Sequence, residues 1–263
     1  MKNKKVMVIF SLCGVIGVFF YFLHVILGTL FYDGYNPMAQ AISDLTASNS
    51  PSKNIAMPFS FLYGVFTVIF STYFFVYFKQ KINRCVTFGA GFFCVMTIVS
   101  FLGYTFFPLS EAGYAGTFQD KMHVAVTIIV VLFTITALIL FIIGFFKTEK
   151  LKYLAIISLC TFLLLLTGSM LMNNLPKEYF GIAERINVYS IVIYTGILSF
   201  WMYKYKSPYI RVVRKLQFLN NFLIKSHFCR ALARKNAGLV REPIGFPNKS
   251  IKEYIGINHG KYK

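Results

Sequence analysis

Four short groups of residues carry the ionisable and nucleophilic side chains that could do chemistry inside an otherwise apolar chain. They are Ser43-Asp44, Asp120-Lys121-Met122-His123, Glu184-Arg185, and a lone His24 in an apolar run. Ser43, His123 and an acid supply the side-chain types of a nucleophilic triad, but no G-x-S-x-G elbow accompanies them. A hydrolytic metal site normally needs three protein ligands. His24, Asp44, Asp120 and His123 contain the right donor types for one, with Ser43 left to orient a water or substrate. No H-E-x-x-H, P-loop or G-x-G-x-x-G is present to sharpen that reading. Spacing i, i+3 puts Asp120 and His123 on one helical face, with Thr127 a turn deeper. A simpler role also fits each residue: Asp120 and Glu184 complementing helix dipoles, Ser43 or Asp44 capping a short helix, Arg185 pairing with Glu184 or a lipid phosphate. Together, Ser43, Asp44, Asp120, His123, Glu184 and Arg185 are read as a shared polar pocket.

These groups are positioned by helices in a membrane. Of 263 residues, 57% are hydrophobic and 14% charged, against roughly 25% charged in a soluble domain. Mean hydropathy is +0.62. Six runs are long enough to span, at about 6–31, 55–78, 85–107, 122–146, 151–172 and 186–203; a span needs about 20 apolar residues. No Lys, Arg, Asp or Glu interrupts their interiors, and the runs are continuous rather than alternating, which favours helices over barrel strands. The first run follows Lys2, Lys4 and Lys5 but exceeds a signal h-region and lacks an A-x-A cleavage signal, so it reads as an uncleaved anchor. The expected fold is all-α, a polytopic six-transmembrane-helix bundle over residues 1–206.

Charge fixes the expected orientation. Of 27 basic residues, 23 fall at the N-terminus, in the second and fourth connections, and from Lys204 onward. Six of nine acids lie with the other four, Lys53, Lys121, Lys177 and Arg185. Basic residues mark the cytoplasmic side, so both termini are expected there, in the cell membrane. Residues 207–263 form a basic tail with an expected amphipathic interfacial helix at 211–235. Arg211, Arg214, Lys215, Lys225, Arg230, Arg234 and Lys235 would meet anionic inner-leaflet lipid, at about 1 kcal/mol each. No recognition motif accompanies that charge, so nucleic acid is not the expected partner. The net +18 is a topology signal. Five scattered cysteines without CxxC spacing imply neither zinc nor a redox motif, and no cofactor is expected.

In order along the chain stand Tyr35-Asn36-Pro37, Ile42-Ser43-Asp44-Leu45, Phe107-Pro108, His123 at the head of the fourth helix, and Gly181-Ile182-Ala183-Glu184-Arg185 before the sixth. Over about residues 6–203 this resembles the bacterial six-helix integral membrane family of domain of unknown function 998. The resemblance implies a six-span bundle and no established reaction. Three functional expectations stand: a non-catalytic membrane protein whose outward pocket holds a lipid headgroup, an intramembrane metal-dependent lipid hydrolase, and a partner-binding or sensory subunit acting through the tail.

Overall fold

The computed structural model describes residues 2–79 and 81–204, and the described residues contain helices and turns but no strand. Six helices are long and apolar enough to cross a membrane. They are α1 (Lys2–Leu30), α2 (Lys53–Phe78), α3 (Arg84–Phe106), α4 (Phe118–Phe146), α5 (Lys152–Asn174) and α6 (residues 180–204, entered through a 3₁₀ turn at Lys177–Tyr179). The tail with its expected helix at 211–235 lies outside the described residues.

Two helices start well ahead of the expected edge of the apolar run. α4 begins at Phe118, ahead of the expected 122, because the Thr117 hydroxyl accepts from the Asp120 amide while Asp120 accepts from the Thr117 amide. This reciprocal box satisfies donors that a helix start leaves orphaned. α6 begins about six residues ahead of the expected 186, since the Ile182 amide donates to the Met38 carbonyl at 3.1 Å. Glu184 and Arg185 therefore lie within the first turns of α6, not in the loop before it.

The α2–α3 and α4–α5 connections are tight, and this is the hairpin end of the bundle. There the Asn83 side chain caps α3 by accepting from the Val86 amide and donates to the Gly144 carbonyl of α4 at 2.8 Å. The opposite, loop end carries loop 1 (residues 31–52), loop 2 (107–117) and the α5–α6 connection.

α1 packs chiefly on α2 and α3 on α4. α6 has contacts to α1, α2, α4 and α5: Ser199 meets α1, Trp201 stacks on Phe78 at 5.3 Å, Tyr194 sits 6.3 Å from Phe141, and Asn187 abuts Gly168. It is the least hydrophobic of the six spans and the most buried. That inversion has a physical basis. Lipid contact demands apolar surface, whereas a helix enclosed by others can carry polar atoms that find partners. The Ser158 and Tyr194 hydroxyls bond at 2.7 Å across α5 and α6. Ser199 donates to the Ser11 carbonyl at 2.6 Å and accepts from the Val15 amide at 3.0 Å.

The α1–α6 seam depends on a glycine. A Cβ on Gly14 would lie 2.6 Å from the Ser199 Cβ and 2.9 Å from the Phe70 ring, whereas on Gly91 it would meet only the Phe75 ring at 3.4 Å. Gly14→Ala is thus expected to destabilise by about 1–3 kcal/mol, the usual cost of overpacking, while Gly91→Ala is close to neutral. Thermal unfolding of the two variants in one detergent checks the contrast.

Candidate functional site

Loop 1 folds back over the bundle and is held there by its own turns and by charged side chains. Asn36 organises its first turn. Its side-chain oxygen accepts from the Met38 amide, its amide donates to Gln40 Oε1 at 2.7 Å, and its carbonyl accepts from Ala39 and Gln40. A 3₁₀ turn at Ile42–Thr46 follows, with Ile42, Asp44 and Leu45 buried. Beneath it Ile42 and Leu45 join Tyr21 and Val25 of α1 and Val192 of α6 in one apolar cluster.

α6 grips this loop at several points. Glu184 Oε2 accepts from the Ile42 amide at 2.7 Å. Arg185 Nη1 donates to the Gln40 and Gly181 carbonyls, both at 2.9 Å, and Nη2 donates to the Tyr35 hydroxyl at 2.7 Å. Tyr35 in turn donates to the Ala41 carbonyl at 2.7 Å. Burial pushes the Tyr35 phenol up to about 12 against the opposing pull of Arg185, so it remains a donor. Gly181 makes the close approach possible, since a Cβ there would strike the Gln40 and Pro37 carbonyls.

Loop 2 is joined to loop 1 through Asp44, which accepts from the Ala41 amide at 3.1 Å and the Gly113 amide at 3.0 Å. Gly113 adopts φ +85°, a conformation open to glycine at little cost. The Ser48 amide adds a backbone bond to the Leu109 carbonyl at 2.8 Å. Asp120, fully buried, accepts from the Ser110 amide, the Ser110 hydroxyl and the Thr117 amide. His123 Nδ1 lies 2.8 Å from the Phe107 carbonyl. A carbonyl only accepts, so Nδ1 carries the proton and Nε2 is the acceptor in the neutral ring. The ring lies 4.9 Å from Tyr104, whose hydroxyl is 3.1 Å from that of Thr127.

The expected pocket residues therefore divide. Asp44, Glu184 and Arg185 converge on loop 1, and Asp120 and His123 share the face their spacing implies but fasten separate atoms of the Phe107–Ser110 segment. Ser43 stands partly exposed beside Asp44, and its hydroxyl bonds to no described residue. Arg185 and Glu184 form no ion pair within 4 Å; each is held by neutral groups.

The same geometry bears on the metal reading. Asp44 and Asp120 have their oxygens committed to amides and hydroxyls, His123 Nδ1 is committed to Phe107, and His24 is buried in α1. Among the described residues no three or more His, Cys, Asp or Glu side chains are grouped so as to hold a metal. Among the described residues Ser43 and His123 share no hydrogen bond.

Tyr35 stands in the sequence only as part of a turn motif, and Gln40, Ser110, Tyr21 and Tyr63 carry no signal there. Tyr21 sits edge-on to Tyr63 of α2 at 4.9 Å and to Tyr189 of α6 at 6.2 Å, and 5.7 Å from His24. The Tyr21 hydroxyl and both His24 nitrogens are buried without a hydrogen-bond partner. Tyrosine at three helical positions reads as ordinary packing until the rings are seen to meet.

The arrangement defines a six-helix membrane bundle whose loop end is closed by buried polar side chains gripping loop backbone. Residues 15–201 match the family described as protein of unknown function (DUF998), and the chain belongs to that family. No curated protein and no solved structure matches it significantly.

Two opposite stability effects are expected. Arg185→Lys keeps the charge but loses the fork that reaches Gln40, Gly181 and Tyr35 together, costing on the order of 3 kcal/mol. Tyr21→Phe removes a buried hydroxyl without a partner and is expected to stabilise by about 1 kcal/mol. Unfolding temperatures of the purified variants, one lower and one higher than the parent, check both.

Proposed function

We propose that this chain is a multi-pass protein of the bacterial cell membrane that holds a lipid headgroup at its loop end and acts by binding rather than catalysis. The observation that carries this reading is the meeting of loop 1 with Glu184 and Arg185 on the enclosed helix. An acidic and a basic side chain are fixed side by side there, each bonded to neutral groups only. Ionisable side chains inside a membrane bundle are costly and by default indicate a site. Ser43 and the second Glu184 oxygen, which accepts from no described residue, leave hydrogen-bonding capacity there.

In this reading the loop end faces outward and both termini are cytoplasmic. The asymmetry of the basic residues supports it, and in it Arg211, Arg214, Lys215, Lys225, Arg230, Arg234 and Lys235 meet anionic inner-leaflet lipid. The partner is membrane lipid rather than nucleic acid. The sensory or partner-binding alternative rests on the same tail. Its mark would be a protein partner lost when the chain is cut at Ser207.

Native mass spectrometry of the detergent-purified chain tests the binding reading. One lipid is expected to remain through delipidation that removes the rest, and Arg185→Gln is expected to weaken its retention about tenfold, the value of one hydrogen bond to a charged group. Uniform loss of all lipid from the parent protein would sink it. A C-terminal green fluorescent protein fusion is expected to fluoresce if the tail is cytoplasmic.

A further inference from the structure

The polar atoms left over at the loop end point to the chemistry of the occupant. The Tyr21 hydroxyl and both nitrogens of His24 are without partners although the residues are only 6% and 4% exposed. An unmet buried polar atom is costly, and two residues one helical turn apart share the defect. Beside Tyr21 stand the rings of Tyr63 and Tyr189, and Glu184 accepts from the amide of Ile42, a member of the same apolar cluster as Tyr21.

Sorted by type, the unmet capacity is one donor and one acceptor on each of Tyr21 and neutral His24, with a further acceptor on Glu184. A neutral imidazole has one lone pair, the phenol oxygen accepts, and Glu184 has an oxygen to spare. Tyrosine ring faces attract cations. The acceptors have their complement in a group with several N–H donors and a positive charge, a primary ammonium, and the phenol O–H and imidazole N–H have theirs in adjoining anionic oxygens. One residue on, Arg185 has its charge matched only by carbonyls and a phenol. A fork of that kind takes an anionic oxygen pair such as a phosphate. Both charges in one molecule leave the ligand net neutral, which limits the cost of moving it out of water.

Building on the headgroup reading above, we propose that the site formed by Tyr21, His24, Tyr63, Tyr189, Glu184 and Arg185 binds a phosphoethanolamine zwitterion, with the ammonium toward Tyr21, His24 and Glu184 and the phosphate toward Arg185. Ile42 and Leu45 of loop 1 belong to the same cluster as Tyr21, so loop 1 has to yield for the ligand to enter.

The test uses the full chain in a mild detergent, titrated by native mass spectrometry with three dioleoyl lipids. Phosphatidylethanolamine carries the N–H donors, phosphatidylcholine the same charge without them, and phosphatidylglycerol neither. The expected result is about tenfold tighter binding of phosphatidylethanolamine than of the other two. Tyr21→Phe and His24→Leu should each reduce it to the phosphatidylcholine level with no loss of thermal stability. Equal or tighter binding of phosphatidylglycerol or phosphatidylcholine overturns the phosphoethanolamine assignment and leaves headgroup binding standing. An unchanged preference in both variants overturns this site, and absence of saturable binding by any lipid overturns both readings. Displacement of phosphatidylethanolamine by free phosphoethanolamine supports recognition of the headgroup alone. Preference for the lipid without such displacement supports the membrane as its source.

Discussion

A polar group in the hydrocarbon layer has only the protein to bond to, and this constraint organises the whole bundle. It explains why the least hydrophobic span is also the most enclosed. α6 carries Glu184, Arg185, Asn187, Tyr194 and Ser199, and on the bundle's lipid surface each would need a partner that lipid cannot give. Loop 1 supplies partners to Glu184 and Arg185, neighbouring helices supply them to the Asn187 amide nitrogen, Tyr194 and Ser199, and close approach at Gly14 and Gly168 lets the helices come near enough for these to bond. Small residues at helix contacts serve that purpose in membranes.

The same constraint turns the charges at the loop end into structural members. A loop laid over a membrane bundle has backbone amides and carbonyls that face protein rather than water, and each needs a partner. Glu184 takes the Ile42 amide, Arg185 the Gln40 carbonyl, Asp44 the amides of Ala41 and Gly113, and Asp120 that of Ser110. A carboxylate serving two amides is a poor metal ligand or general base, since its lone pairs are already directed. The residue types thus resemble a hydrolase's inventory while their bonds close a lid.

How much of this was legible in the sequence follows from range. The six spans could be read because hydropathy is a property of contiguous residues, and helix ends only approximately because caps such as Thr117 and Asp120 act at three-residue spacing beyond the apolar run. The ordered motifs gave the family. Which atoms the polar residues would meet was not legible, because those partners are distant in the chain: Ile42 and Glu184 are 142 residues apart, Tyr35 and Arg185 150. A backbone amide leaves no trace in the residue type, so a carboxylate bonded to one looks the same in sequence as one awaiting a ligand. Ser43 is the converse. It sits beside Asp44 and reads as part of the site, yet bonds to none of its expected companions.

Tyr21 and His24 mark where local consistency gives way. Packing there is otherwise complete: Tyr21 is ringed by aromatic neighbours and Val25, Ile42 and Leu45 close the cluster. Phenylalanine and leucine would fill the same volume without unmet donors or acceptors, and the fold would gain by the exchange. Polar atoms at such positions follow if their partner is not part of the chain. Places where a sequence breaks its own packing rule are expected at functional sites. The break falls in the cluster that Tyr21 shares with Ile42 and Leu45 of the loop that Glu184 and Arg185 hold.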